Sequence, residues 1–81
     1  MKYKIEFKPH AAKDLRAIDV IDANRILAKV RAMENNLTGD VKRLTNFEPQ
    51  YRLRVGNYRV LFNIENDLIT IYRIKHRREA Y

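Results

Sequence analysis

The stretch from Tyr51 to His76, YRLRVGNYRVLFNIENDLITIYRIKH, leaves few folds open. Two short polar breaks divide it into three β-like segments. Gly56-Asn57 is a two-residue turn whose leading glycine favours type II′ geometry. Asn66-Asp67 suits a type I′ turn, because both residues tolerate the left-handed conformation. A three-stranded antiparallel meander follows, and its apolar face needs a cover.

The cover lies upstream. KYKIEFK alternates strictly, with Tyr3, Ile5 and Phe7 on one side of a first strand, and Pro9 ends it. From Pro9 the spacing turns helical, with Ala12, Leu15 and Ile18 on one stripe and the proline in the first turn. Asp19 can cap a second helix with Asp22 three residues on, and Ile26, Val30, Met33 and Leu37 form its stripe up to Asn35-Asn36. The expected fold is α+β, in the order β-α-α-β-β-β. A two-helix hairpin packs on one face of a small, mostly antiparallel four-stranded sheet, and residues 1–81 form a single domain.

Charge comes next. Seventeen Lys and Arg against ten Asp and Glu give +7 at pH 7, and residues 51–81 carry seven of the cations and three of the anions. Such a field attracts polyanions or an acidic protein. There is no cysteine and there are two distant histidines, His10 and His76, so thiolate sites and a zinc set are not expected, nor is a cofactor. No apolar run approaches the roughly 20 residues of a membrane span, and the alternating N-terminus is unlike a signal peptide, so a cytoplasmic protein is expected.

A tight turn at Gly56-Asn57 sets Arg54 opposite Arg59, Leu53 opposite Val60 and Arg52 opposite Leu61. Leu53, Val55, Val60, Phe62 and Ile64 then face the helices, and Arg52, Arg54 and Arg59 face away. Charged residues alternating on an outer sheet face often mean only solvation, but two arginines directly opposed cost stability that an anion would relieve. Continuing the alternation through Asn66-Asp67 sets Leu61 opposite Tyr72 and Arg59 opposite Ile74. His76 then falls on the arginine face beside Asn57, with Arg77, Arg78 and Tyr81 following.

Guanidinium groups fit phosphate oxygens, and an aromatic ring beside them stacks on a base. Single-stranded RNA adds a 2′-hydroxyl able to attack its own phosphate once a proton is removed and the charge is held. His76, whose reference pKa is near neutrality, is the candidate proton carrier, and Tyr81 the stacking ring.

These residues resemble the RelE/ParE superfamily of bacterial and archaeal toxins, the RelE branch in particular. The resemblance covers nearly the whole chain, through FKPHAAKDLRAI, YRLRVGNYRVLF and the ending HRREAY. It implies the toxin of a type II toxin–antitoxin system: a metal-independent endoribonuclease that cleaves messenger RNA in the ribosomal 30S A site through 2′-hydroxyl attack. It implies a RelB-like antitoxin, encoded beside the toxin, as partner. By motif position, the paired basic residues of the first meander strand fall on Arg52 and Arg54, where well-described members have lysines. The phosphate-binding arginine falls on Arg59, the tail arginine on Arg77 with Arg78 as alternative, and the terminal aromatic on Tyr81. The expected catalytic set is Arg52, Arg54, Arg59, His76, Arg77 and Tyr81, with Lys75 and Arg78 binding RNA. The alternatives are a ParE-like inhibitor of DNA gyrase and a non-catalytic basic module binding RNA or protein.

Overall fold

The structure, a computed structural model, describes residues 2–79. In chain order it comprises β1 (Lys4–Phe7), α1 (Pro9–Arg16), α2 (Val20–Ala32), β2 (Val41–Arg43), β3 (Tyr51–Val55), β4 (Tyr58–Glu65) and β5 (Leu68–His76). The sheet order is β1-β5-β4-β3-β2. β1 lies parallel to β5 at one edge, and every other pair is antiparallel. The sheet has five strands where four are expected. VKR, inside the long connection before the meander, is too short to stand out by alternation, yet it pairs with β3 and sets Val41 beside Leu53 and Lys42 beside Arg52.

The helices form for the reasons the sequence suggests, with shifts of detail. Pro9 occupies the first turn of α1, but Ala11 is its buried residue, one position before the expected stripe, and Leu15 and Ile18 flank the core. Asp19 caps α2 by accepting a hydrogen bond from the Ile21 amide at 2.9 Å. Ile26 and Val30 point into the core, and the helix stops at Ala32. Leu37 therefore lies outside the helix, with φ of 57°, and still packs against the core. Phe62, Ile26, Met33, Leu53, Ile69, Ile71, Val30 and Val60 are the largest fully buried side chains, so sheet and helices close one apolar layer.

At the turns, Gly56 takes φ of 57°, as a type II′ turn requires of its first residue. At Asn66-Asp67 only Asn66 has a positive φ, also 57°, so the type I′ expectation fails there, since that turn needs it at both residues. The β3–β4 register matches the expectation throughout.

The β4–β5 register does not. Ile64 faces Ile69 and Phe62 faces Ile71, but a bulge follows and Leu61 faces Arg73. Tyr72 is the extra residue. Beyond it Val60 faces Ile74, Arg59 faces Lys75, and Tyr58 faces His76. One inserted residue exchanges the faces of all that follow, so the expected pairs Leu61–Tyr72 and Arg59–Ile74 are corrected.

Asp14 holds this region. β1 ends at Phe7, which leaves the outer edge of β5 open beyond Ile71. There Asp14 Oδ2 accepts the Ile74 amide at 2.9 Å and the Arg73 Nε–H at 2.8 Å, while Oδ1 accepts from Arg73 Nη2 at 3.1 Å. A carboxylate from α1 thus completes the edge that β1 leaves unpaired. Burial alone would raise the Asp14 pKa. The Arg73 and Ile74 hydrogen bonds and the nearby positive charge outweigh it and hold the carboxyl below its usual value.

Candidate functional site

The sheet face turned away from the helices gathers cations in two rows. In the first, Arg54 on β3 faces Arg59 on β4, which faces Lys75 on β5. In the second, Lys42 on β2 faces Arg52, which faces Leu61; Arg73, opposite Leu61 on β5, turns its guanidinium to Asp14 of α1. Directly opposed like charges destabilise a sheet, and the first row has two such pairs in succession.

The arginines are held differently. Arg52 lies against the sheet, its side chain only 11% exposed, with Nη1 donating to the Asp40 backbone carbonyl at 2.8 Å and to Asp40 Oδ1 at 3.1 Å. Its Nε is buried and has no hydrogen-bond partner among the described residues. Arg54 is 54% exposed and donates from Nε to Asp40 Oδ2 at 2.7 Å. Arg59 folds back on its own turn, with Nη1 donating to the Gly56 and Tyr58 carbonyls, each at 3.0 Å. The Arg52 hydrogen bond first, then the charge and hydrogen bond of Arg54, hold the Asp40 carboxyl below its usual range.

The bulge separates one expected member from the rest. His76 shares the helix-covered face with Tyr58, its ring edge-on to the tyrosine with centroids 5.6 Å apart. It lines a recess of about 360 Å³ with Asp14, Ile18 and Glu79, and its Nδ1 accepts the Arg78 amide at 3.3 Å. Lys75 takes the place on the arginine face that simple alternation assigns to His76. The tail does return to the first turn, since the Arg77 amide donates to the Asn57 carbonyl at 2.7 Å and both Arg77 and Arg78 are exposed. Tyr81 lies outside the described residues.

Two members of this face are missing from the sequence reading. Lys42 and Asp40 sit in a connection without alternation long enough to suggest a strand. The only signal is their sequence distance from Arg52 and Arg54, which says nothing until β2 is seen to pair.

Two helices on one face of a five-stranded sheet, with clustered arginines on the other, define a small α+β protein with a cationic sheet face. Known proteins narrow that class. Residues 5–81 match the family described as ParE toxin of type II toxin–antitoxin system, parDE. Toxin RelE3 of Methanocaldococcus jannaschii is 30% identical over 83 residues, covering 96% of this chain and 94% of the relative. Among solved structures, a chain of the RelB-RelE antitoxin-toxin complex from Methanococcus jannaschii superposes with a TM-score of 0.76 at 30% identity, covering 90% of this chain and 91% of that one. A chain of the archaeal RelE-RelB complex from Pyrococcus horikoshii OT3 gives 0.75 at 26%, covering 99% and 100%. The chain belongs to the ParE toxin family and stands with its RelE branch: it is a toxin of a type II toxin–antitoxin system. No helix among the described residues is long and apolar enough to cross a membrane.

Proposed function

We propose that this toxin is a ribosome-dependent endoribonuclease, acting in the cytoplasm and without a metal ion on messenger RNA in the A site. The 2′-hydroxyl gives its proton to water and attacks the adjacent phosphorus, the bond to the 5′-oxygen of the next nucleotide breaks as that oxygen takes a proton from water, and a 2′,3′-cyclic phosphate remains. The observation that carries this reading is the Arg54–Arg59–Lys75 row of directly opposed cations. A phosphate has the charge to relieve that row and the oxygens to accept from its guanidinium groups. The same cations would stabilise the additional charge of the transition state, a term of about 2.7–4 kcal/mol for one well-aimed donor.

Arg77, beside the Gly56-Asn57 turn, adds a further cation to this site, and Arg78 and Lys75 contact the RNA backbone. Tyr81 keeps the base-stacking role that the family resemblance implies. His76, on the other side of the sheet, takes no direct part. A RelB-like antitoxin encoded beside the toxin is the partner, in keeping with the complexes in which both the Methanococcus and Pyrococcus chains were solved. The family description also names ParE, for which gyrase inhibition is the competing reading. The curated relative and the two solved structures carry the RelE name, and an arginine row on an open face has a direct use in RNA cleavage.

The test is to map messenger-RNA 5′ ends on translating ribosomes after expression of the native chain and of Arg54→Gln. Arg54 is more than half exposed, so its substitution should leave folding intact. Native protein should cut in the A site, and the variant about 10²-fold more slowly, the loss typical of one transition-state donor. Gyrase trapped on DNA with no A-site cuts would reject the ribonuclease.

A further inference from the structure

A carboxylate already sits where the substrate's anion is needed. Asp40 is brought there by β2, whose pairing with β3 starts at the next residue, Val41. Its two oxygens divide between two guanidinium groups, Oδ1 to Arg52 at 3.1 Å and Oδ2 to Arg54 at 2.7 Å. Two oxygens of one phosphate would engage the same donors in the same way.

We propose that Asp40 is a resident competitor for the substrate phosphate, a specificity-determining residue that RNA must displace from Arg52 and Arg54. The proposal rests on the ribonuclease reading of this face. Three features make the displacement workable. The Asp40 side chain is 45% exposed, so it can turn to water without dragging buried structure with it. Its backbone is tied separately, because its carbonyl accepts from both the Arg54 amide, at 3.0 Å, and Arg52 Nη1, at 2.8 Å. The connection and Arg52 therefore stay in place when the carboxylate leaves. Finally, the Arg52 and Arg54 guanidinium groups already converge on one anion, so a phosphate entering from solvent needs no rearrangement of either arginine.

The consequence is selectivity. A loose RNA strand making one or two phosphate contacts must compete with Asp40, while RNA already positioned on a larger assembly brings many contacts at once. Asp40 lowers the affinity of the free toxin for stray RNA and leaves the arginines ordered for a substrate presented in the correct place.

The experiment measures binding of a short single-stranded RNA oligonucleotide by fluorescence anisotropy across a salt series. It uses native protein, Asp40→Asn, Asp40→Ala and Asp40→Asn combined with Arg54→Gln, with A-site cleavage on ribosomes measured alongside and thermal melts confirming the folded state. Removing the resident charge should tighten binding about three- to tenfold, the range expected for ion pairs made by a half-exposed carboxylate. It should also steepen the dependence of log affinity on log salt by about 0.7, one more phosphate neutralised on a single strand. The Arg54→Gln combination should cancel the gain. A merely structural Asp40 predicts the opposite, weaker binding as the arginines lose order. If native protein binds and both Asp40 variants bind no more tightly with the same slope, the proposal is wrong and the ribonuclease stands. If no form binds the oligonucleotide but native protein still cuts on ribosomes, the proposal again fails alone. If native protein neither binds nor cuts, both readings fall together.

Discussion

Removing the Asp14 carboxylate should uncouple α1 from the open edge of β5, and its cost follows from the bonds lost. Asp14→Ala leaves the Ile74 amide without its acceptor in a half-buried position, a loss of about 1–3 kcal/mol. It also removes a two-point ion pair with Arg73, whose side chain is 32% exposed, which adds about 0.5–1 kcal/mol after screening by solvent. The sum, about 1.5–4 kcal/mol, is large for 81 residues, whose total stability should lie at roughly 4–12 kcal/mol. It corresponds to a melting temperature lower by roughly 6–30 °C. Asp14→Asn, which keeps an oxygen for the amide but not the charge, should lose about half as much. The acid dependence has a definite sign. The folded-state pKa of Asp14 lies below the ordinary value for an aspartate, so its contribution is complete above that value and is lost as pH falls through the lower, folded value. Urea titrations at neutral pH and at about pH 3 should therefore show the gap between native and Asp14→Ala narrowing in acid. A drop in melting temperature under about 4 °C, or a gap that stays constant on acidification, would refute the account of this edge.

Two further outcomes follow from the same geometry. His76→Ala should leave A-site cleavage within a few-fold of native and cost about 0.5–1.5 kcal/mol of stability through the lost edge contact with Tyr58; abolition of cleavage without unfolding would return His76 to the site. Phe62→Ala empties the centre of the apolar layer at a fully buried position, and should lower stability by about 3–5 kcal/mol in a urea titration. A loss below about 1 kcal/mol would mean that the core repacks.

The parts of the fold legible in the sequence are those in which local chemistry has one solution. Gly56-Asn57 allows one tight turn, and that turn alone sets Arg54 opposite Arg59 and Arg52 opposite Leu61, as the structure has them. Pro9 and Asp19 mark helix starts because each satisfies or avoids a backbone donor at a helix end. What stayed hidden depends on contacts distant in sequence. β2 is three residues long and exists because β3 offers it an edge. The bulge at Tyr72 did leave a trace, since Ile69, Ile71 and Ile74 are all buried, a spacing of two then three that unbroken alternation cannot keep on one face. The condition that favours the bulge is the end of β1 at Phe7, where the next partner for β5 is a carboxylate on a helix instead of a strand. That acceptor lies sixty residues upstream and cannot be read within residues 68–76.

That single inserted residue links the fold to the composition of the site. Without it, the plain register would put Ile74 beside Arg59 and His76 on the arginine face. With it, Lys75 completes a row of three cations, and the histidine turns to pack on Tyr58. The row is costly in isolation, since each opposed pair of like charges works against the sheet. Asp40 neutralises part of the cost at Arg52 and Arg54 but reaches neither Arg59 nor the buried Arg52 Nε. A face stabilised only for folding would place its carboxylate opposite the row or replace one arginine with an uncharged residue. Here the counter-ion sits on an exposed side chain at one end, and the remaining positive charge is left for a ligand. The arrangement makes sense as a compromise: enough internal neutralisation to let the sheet form, and enough unsatisfied charge for an incoming phosphate to bind.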